Sequence, residues 1–181
     1  MPTSEKQPLR RFYRTARRSL SPDDHREHSL AIADEVIRHL NDATTVAAYL
    51  ARDGEVDLAN VFTRCWRRGI VVAVPVILGR NMRFAAYRCG ESMAHNRFGI
   101  PEPARPEFVT PCVVLAPLVA FDRGGRRLGM GGGYYDRYFA ATPVAVRIGI
   151  AYECQRAPAL PATASDVSLT AVVTENGWQS F

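Results

Sequence analysis

Lysine is almost missing from this chain. Of 23 basic side chains in 181 residues, Lys6 alone is a lysine and the rest are arginine. That excludes a P-loop of the form GxxxxGK[ST], which needs a lysine on the β- and γ-phosphates. Long apolar runs are missing too. Stretches such as Ile70 to Leu78, with Pro75 inside, fall far short of the ~20 residues that cross a bilayer. Cysteine is sparse: Cys65, Cys89, Cys112 and Cys154 are widely spaced, with no CxxC and no histidine pair nearby. Neither a zinc site nor a disulfide scaffold follows, and three of the four read as small core residues. The basic start, MPTSEKQPLRRFYRTARRSL, leads into no apolar segment of the kind a secretory signal requires, so the cytoplasm is the expected compartment. No internal repeat, low-complexity tract or linker interrupts the chain, and residues 1–181 are expected to form one domain.

What is present is ordinary for a folded protein: 47% apolar and 23% charged residues, with a net charge of +5. A basic balance raises nucleic acid as a partner, but the arginines are spaced along helical segments beside acids such as Asp23, Asp24, Glu27 and Asp57. The same modest positive field suits a small polyanion.

Periodicity organises the chain. Leu9, Phe12, Tyr13 and Ala16 predict a helix over Pro8 to Ser19. Ser21 as N-cap, Pro22 at the first helical position and acids in the first turn start a second helix, whose stripe of Leu30, Ala33, Ile37 and Leu40 carries it to about Leu40. TTVAAYL, ending at Leu50, reads as a strand. After the loop ARDGEVD, Asp57 caps a third helix with Leu58, Val61, Phe62, Cys65 and Trp66 on its apolar face, closed by Gly69. IVVAVPV has the continuous apolar character of a strand covered on both faces. MRFAAYR follows as another strand, and residues 89–111, rich in proline, read as a long surface excursion. VVLAPLVAFD is a buried strand leading into a glycine loop. A short helix from Tyr134 to about Ala140 and the strands AVRIGIAY and AVVT complete the pattern. Alternating strands and helices predict an α/β protein, a single-domain layered α/β/α fold with a largely parallel sheet.

The loop, RRLGMGGGYYD from Arg126 to Asp136, sits between a buried strand and a helix, where open parallel sheets bind ligands. Glycines at 129, 131, 132 and 133 permit unusual backbone angles and remove side chains, so the run is either a connection with only a turn role or an anion cradle of bare N–H groups opening into a helix N-terminus. The spacing is not that of a dinucleotide fingerprint, because the third glycine of GxGxxG would fall on Tyr134. Arg126 and Arg127 are placed to clamp a phosphate, and a carboxylate at Asp136 beside such a cradle points to Mg²⁺. Taken alone, Asp136 is equally an exposed helix acid. Tyr134 and Tyr135 are either core aromatics or a stacking surface for a flat heterocycle.

FDRGGRRLGMGGGYYDRYF resembles the signature of the 5-formyltetrahydrofolate cyclo-ligase family, also called methenyltetrahydrofolate synthetases. LRRFYRTARRSLSPDDH, GEVDL, FGIPEP and LPATASDVSLTAVVTENG resemble further family segments in the same order. The resemblance implies ATP- and Mg²⁺-dependent conversion of 5-formyltetrahydrofolate to 5,10-methenyltetrahydrofolate, with ADP and phosphate released. In the family's mechanism the γ-phosphoryl group of ATP passes to the formyl oxygen and N10 then closes the ring.

Position by position, it implies that Lys6, Arg10 and the loop Arg127, Leu128, Gly129, Met130, Gly131, Gly132, Gly133, Tyr134 and Tyr135 hold ATP, with Arg127 and Tyr135 catalytic. Leu50, Glu55, Met130, Gly131, Gly132, Gly133 and Tyr134 contact the folate, and Asp136 and Asp166 hold Mg²⁺. Without the resemblance, Lys6 and Arg10 read as solvated helix charges, Glu55 as an exposed loop acid and Asp166 as a turn residue. Two positions depart from the family pattern: Thr170, where many relatives carry aspartate, and Gly132, where some carry lysine. The implied partners are small molecules, ATP and 5-formyltetrahydrofolate, with no nucleic acid and no membrane, and a monomer is the working expectation.

Overall fold

A computed structural model describes residues 3–144 and 146–181. The first helix, α1 (Thr3–Arg18), begins earlier than the periodicity suggests and contains Pro8. Its buried face also differs from the expected stripe. Tyr13 is buried, but Phe12 is 65% exposed and Arg17 takes an interior position. The second helix, α2 (Pro22–Arg38), starts as expected: the Ser21 hydroxyl accepts the Asp24 N–H at 3.1 Å in a capping box, with Pro22 in the first turn. Ile32, Ala33, Val36 and Ile37 form its buried stripe, whereas Leu30 faces solvent and Leu40 is buried just past the helix end.

Strand β1 (Thr45–Ala47) is followed by α3 (Ala59–Arg67), whose Val61, Phe62 and Cys65 are buried. Asp57 lies just outside this helix, and its Oδ1 accepts the Ala59 N–H at 2.9 Å. Then come β2 (Val71–Leu78) and β3 (Asn81–Ala86), an antiparallel pair. The excursion over 89–111 contains a small hairpin, β4 (Met93–His95) and β5 (Pro101–Pro103), and an edge strand, β6 (Phe108–Val109).

VVLAPLVAFD is not one strand. β7 (Val113–Pro117) stops at its proline, and a separate hairpin of β8 (Ala120–Phe121) and β9 (Arg127–Leu128) stands between it and the glycine loop. The hairpin turn is built on the buried Asp122, whose carboxylate accepts the N–H groups of Gly124, Arg126 and Leu160 at 2.9–3.1 Å. Helix α4 (Tyr134–Ala141) and strand β10 (Val146–Ile150) follow, and β11 (Ala171–Thr174) turns back into a strand not expected from the sequence, β12 (Gly177–Ser180).

The main sheet has the order β12-β11-β10-β7-β1-β2-β3-β6. Its five central strands, β11, β10, β7, β1 and β2, run parallel, and antiparallel strands flank them at both ends. Alternation along the strands divides the core. Val46, Val113, Leu115, Ile148 and Val173 face α2 and α3, while Ala47, Val114, Ala116 and Val172 face Tyr138 and Phe139 of α4. The layered α/β expectation with a largely parallel sheet therefore holds. The cysteines do not follow expectation: only Cys65 is buried, and Cys89, Cys112 and Cys154 are exposed.

Candidate active site

From β1 the chain crosses through α3 to β2 on one side, and from β7 it crosses through α4 to β10 on the other. The two crossovers lie on opposite faces, so the strand order reverses between β1 and β7. That is the place where a crevice opens beyond the carboxyl ends of parallel strands. A cleft of about 1070 Å³ occupies it, with Tyr49 and Leu50 after β1 and Pro117 and Leu118 after β7 in its wall.

Helix α1 lies along one side. Lys6, Arg10, Arg14 and Arg17 recur at intervals of four, four and three, which puts them on one helical face, and all four line the cleft. Each has a partner. Lys6 Nζ is 2.6 Å from Asp166 Oδ2. Arg10 Nε donates to the Gly129 carbonyl at 2.8 Å, tying the helix to the glycine loop. Arg14 and the fully buried Arg17 both reach Asp53 Oδ2 at 2.8 Å.

The glycine loop forms the facing wall. Gly131 has a φ of 100°, and a Cβ there would come within 3.4 Å of the Arg10 guanidinium. Gly133, at a φ of 67°, is the N-cap of α4 and offers no side chain to the first turn. A Cβ there would collide with Arg137 Nη1 at 2.7 Å. The first-turn N–H groups of α4 are thus left for an anion to meet, as helix geometry and the bare loop require.

Arg127 and Arg126, adjacent in sequence, have opposite fates. In β9 the side chain of Arg127 points inward and is only 4% exposed, while Arg126, at the end of the hairpin turn just before β9, is exposed and outside the cleft. The expected arginine pair is therefore a single arginine. Arg127 donates to Asp136 Oδ1 at 2.7 Å and to the Val167 carbonyl at 2.6 Å. Burial lowers its pKa and Asp136 opposes that shift. Asp136 Oδ1 also accepts the Val167 N–H at 3.3 Å, which brings the helix carboxylate up to the segment that carries Asp166. Burial pushes the Asp166 carboxyl up, but Lys6 and the Thr163 N–H outweigh it and hold it below the usual range. Among the described residues no group of three or more His, Cys, Asp or Glu is arranged as a metal cage. Asp136 and Asp166 both line the cleft, and two carboxylates are a donor set that could hold Mg²⁺ if a ligand's oxygens completed it.

The two tyrosines lie in different surroundings. Tyr135 packs between Phe84 and Phe139, and its hydroxyl is buried without a protein partner among the described residues. Burial, reinforced by Glu55, raises its pKa far above that of a free phenol, so it remains a donor. Tyr134 lies at the cleft edge, its hydroxyl receiving Arg97 Nη2 at 2.9 Å and its ring 6.2 Å from Phe98. Glu55 accepts the Arg52 N–H at 3.1 Å and stands 3.7 Å from Arg17. Burial raises its pKa and Arg17 opposes the rise.

Every residue that the family resemblance assigns to ATP, folate or metal lines this one cleft: Lys6, Arg10, Leu50, Glu55, Arg127 to Asp136 and Asp166. Met130 is 55% exposed there, whereas Leu128 is mostly buried under α1. Thr170 lies outside the cleft, pairing its hydroxyl with the Arg147 N–H and carbonyl. The sequence reading missed Asp53 and the arginines around it, and it missed Phe98 and Ile100, which bring an apolar wall from the tip of the β4–β5 hairpin. The only local signal for the first was the Asp-Gly pair of a tight turn; for the second it was the apolar pair flanking Gly99.

The sequence matches the model of the 5-formyltetrahydrofolate cyclo-ligase family over residues 2–175. A 5-formyltetrahydrofolate cyclo-ligase of Escherichia coli (strain K12) is 36% identical over 177 residues, covering 89% of this chain and 95% of the relative. One from Haemophilus influenzae is 30% identical over 181 residues, covering 93% and 97%. The NMR structure of Aquifex aeolicus 5,10-methenyltetrahydrofolate synthetase has a TM-score of 0.80 at 30% identity and covers 97% of this chain and 92% of that one. A 5,10-methenyltetrahydrofolate synthetase from Mycoplasma pneumoniae shares the fold, with a TM-score of 0.79 at 23% identity and coverage of 94% and 98%.

Proposed function

The chain belongs to the 5-formyltetrahydrofolate cyclo-ligase family, and from that premise we propose that it is an enzyme converting 5-formyltetrahydrofolate to 5,10-methenyltetrahydrofolate at the expense of ATP. The observation that carries this reading is a single cleft that joins a cationic helix face and a bare glycine loop to an apolar wall containing Phe98 and Ile100. The first two suit a triphosphate and the third suits a flat ring system.

A formamide oxygen is a poor leaving group. Its attack on the γ-phosphorus of ATP, with ADP departing, makes it a phosphate ester on an iminium carbon. N10 of the folate then bonds to that carbon, loses its proton, and the C–O bond breaks to release phosphate. Little covalent work falls to the protein, which must align oxygen and phosphorus and meet charge in transit. Lys6, Arg10 and the loop amides are suited to the triphosphate, and the inward Arg127 to the charge developing on the transferred group. The unpartnered Tyr135 hydroxyl, held protonated, can donate a hydrogen bond to a bound oxygen. Glu55 and Leu50 are suited to the pterin, whose amino and ring N–H groups a carboxylate can accept. Asp136 and Asp166 fit Mg²⁺, which when bound neutralises phosphate charge. With Gly132 in place of a lysine, Arg127 and the main-chain amides carry that part of the binding.

The reading includes a single-domain monomer acting on small molecules in the cytoplasm, with neither nucleic acid nor membrane as a partner. Among the described residues no helix is long and apolar enough to cross a membrane. The test is to mix the protein with 5-formyltetrahydrofolate and Mg²⁺, with and without ATP, and follow the methenyl chromophore. Product only with ATP supports the reading. No product under either condition, from protein shown to be folded, overturns it.

A further inference from the structure

After β1 the chain turns sharply through Asp53 and Gly54, at φ values of 57° and 72°. Asp53 is the one residue other than glycine with a positive φ among those described, a conformation that a Cβ disfavours. Its side chain gains much there. Asp53 Oδ2 accepts Arg14 Nε and Arg17 Nη2, each at 2.8 Å, Oδ1 accepts Arg14 Nη2 at 3.2 Å and also pairs with Arg18, and the Asp53 carbonyl accepts Arg17 Nε at 2.9 Å. Arg17 in turn donates Nη1 to the Leu118 carbonyl at 3.1 Å, in the loop after β7. Asp53 and Arg17 together thus join the last turns of α1 to the loops on both sides of the point where the strand order reverses.

That junction governs two sets of groups. Lys6 and Arg10 project from the same helix face as Arg14 and Arg17, so anchoring the helix end sets where the first two stand over the glycine loop. Leu50 and Glu55 flank the Asp53 turn on the other side. We propose that Asp53 is a positioning residue that fixes the separation between the nucleotide-facing cations of α1 and the folate-facing loop, and so the alignment of the reacting oxygen and phosphorus. This rests on the reading of the cleft as a site for ATP and 5-formyltetrahydrofolate.

The test is steady-state kinetics over a grid of both substrates, at a temperature where circular dichroism shows each variant folded. Asp53→Gly suits the backbone angle and removes the carboxylate; its kcat should fall about tenfold or more, because alignment acts on the chemical step. Asp53→Asn tolerates the same angle and keeps one acceptor oxygen, and should restore kcat to within about threefold of the parent. A role in folding alone would lower Tm and leave kcat per folded molecule unchanged, so a kcat within about twofold of the parent in Asp53→Gly overturns the proposal. If Asp53→Gly does not fold, Arg17→Lys, which keeps the charge but loses the fork that spans Asp53 and Leu118, should show the same fall in kcat, and a parental kcat there overturns it. An unaltered chain that makes no methenyl product overturns the activity reading and this role together. An active parent beside an equally active Asp53→Gly overturns the positioning role alone.

Discussion

The two ends of the cleft are held by different chemistry. At the cationic end every side chain is fixed by a charge-assisted bond: Lys6 to Asp166, Arg127 to Asp136, Arg14 and Arg17 to Asp53. At the apolar end no carboxylate–cation pair among the described residues holds the wall; it hangs on turn geometry, one acid, and Arg97, which donates to the Gly79 carbonyl and the Tyr134 hydroxyl at 2.9 Å. Asn96 Oδ1 accepts the N–H groups of Phe98 and Ile100 at 2.9 and 3.1 Å, and its amide donates to Glu102 Oε1 at 2.6 Å. The same Glu102 oxygen accepts the Ile77 N–H of β2 at 2.8 Å, which fastens the hairpin to the sheet. The charged end is therefore pre-organised before a ligand arrives, as electrostatic catalysis requires. The apolar end leaves Phe98 46% exposed, an open surface for the ring of the proposed substrate to cover.

Substitutions can break this contrast at either end. The largest effect is expected from Arg127→Ala, with a loss of about 2–4 kcal/mol in kcat/KM if the guanidinium meets developing charge. Kinetics on folded protein decide it, and a parental kcat/KM removes Arg127 from the chemistry. Asp136→Asn should keep the fold and raise the Mg²⁺ needed for half-maximal rate about tenfold; superimposable Mg²⁺ titrations would count against a metal role. Phe98→Ala should raise KM for the folate by about 1 kcal/mol while leaving KM for ATP unchanged, since only the apolar end loses contact area. Equal changes in both constants would mean that the two ends are not separable.

The smallest effect sharpens the comparison through pH. Burial holds the folded-state pKa of Glu55 above its ordinary value, so the native state binds that proton more tightly than the unfolded chain. Stability from this group falls as pH rises from the unfolded pKa through the folded one, and ionised Glu55 is a cost at neutral pH. Asp166 is shifted the other way, and its contribution is lost as pH falls through its lowered pKa. Glu55→Gln should therefore raise Tm at neutral pH and make no difference below about pH 4, where unfolded Glu is already protonated. Thermal melts across that range check the sign, and a lower Tm at pH 7 contradicts it.

Much of the fold was legible because it is local. A continuous apolar run marks β2, the period of 3.6 marks α2 and α3, and the Ser21 cap and the glycine loop declare themselves in a few residues. What was not legible depends on distant partners. The turn at Asp122 looks like the start of the glycine loop until Leu160 is seen to donate to it from 38 residues away. Strand β12 is four residues, half-exposed, and exists because β11 pairs with it. Phe12 and Leu30 fit helical stripes by spacing, but the interior positions go to Arg17 and Ile32. In the cleft, the motif announced the glycine loop and its carboxylate, whereas Arg17 reaches Leu118 across 101 residues and leaves no pattern along the chain. Arg126 was misjudged for a local reason, since it ends the hairpin turn just before β9 and stays exposed.

The lone lysine has a practical consequence. Its side chain, only 12% exposed and paired with Asp166 at the cleft wall, carries the one side-chain amine in the protein. An amine-directed acylating reagent consequently has a single side-chain target, and the yield of modified Lys6 peptide in a mass spectrum becomes a direct footprint of whether the cleft is filled.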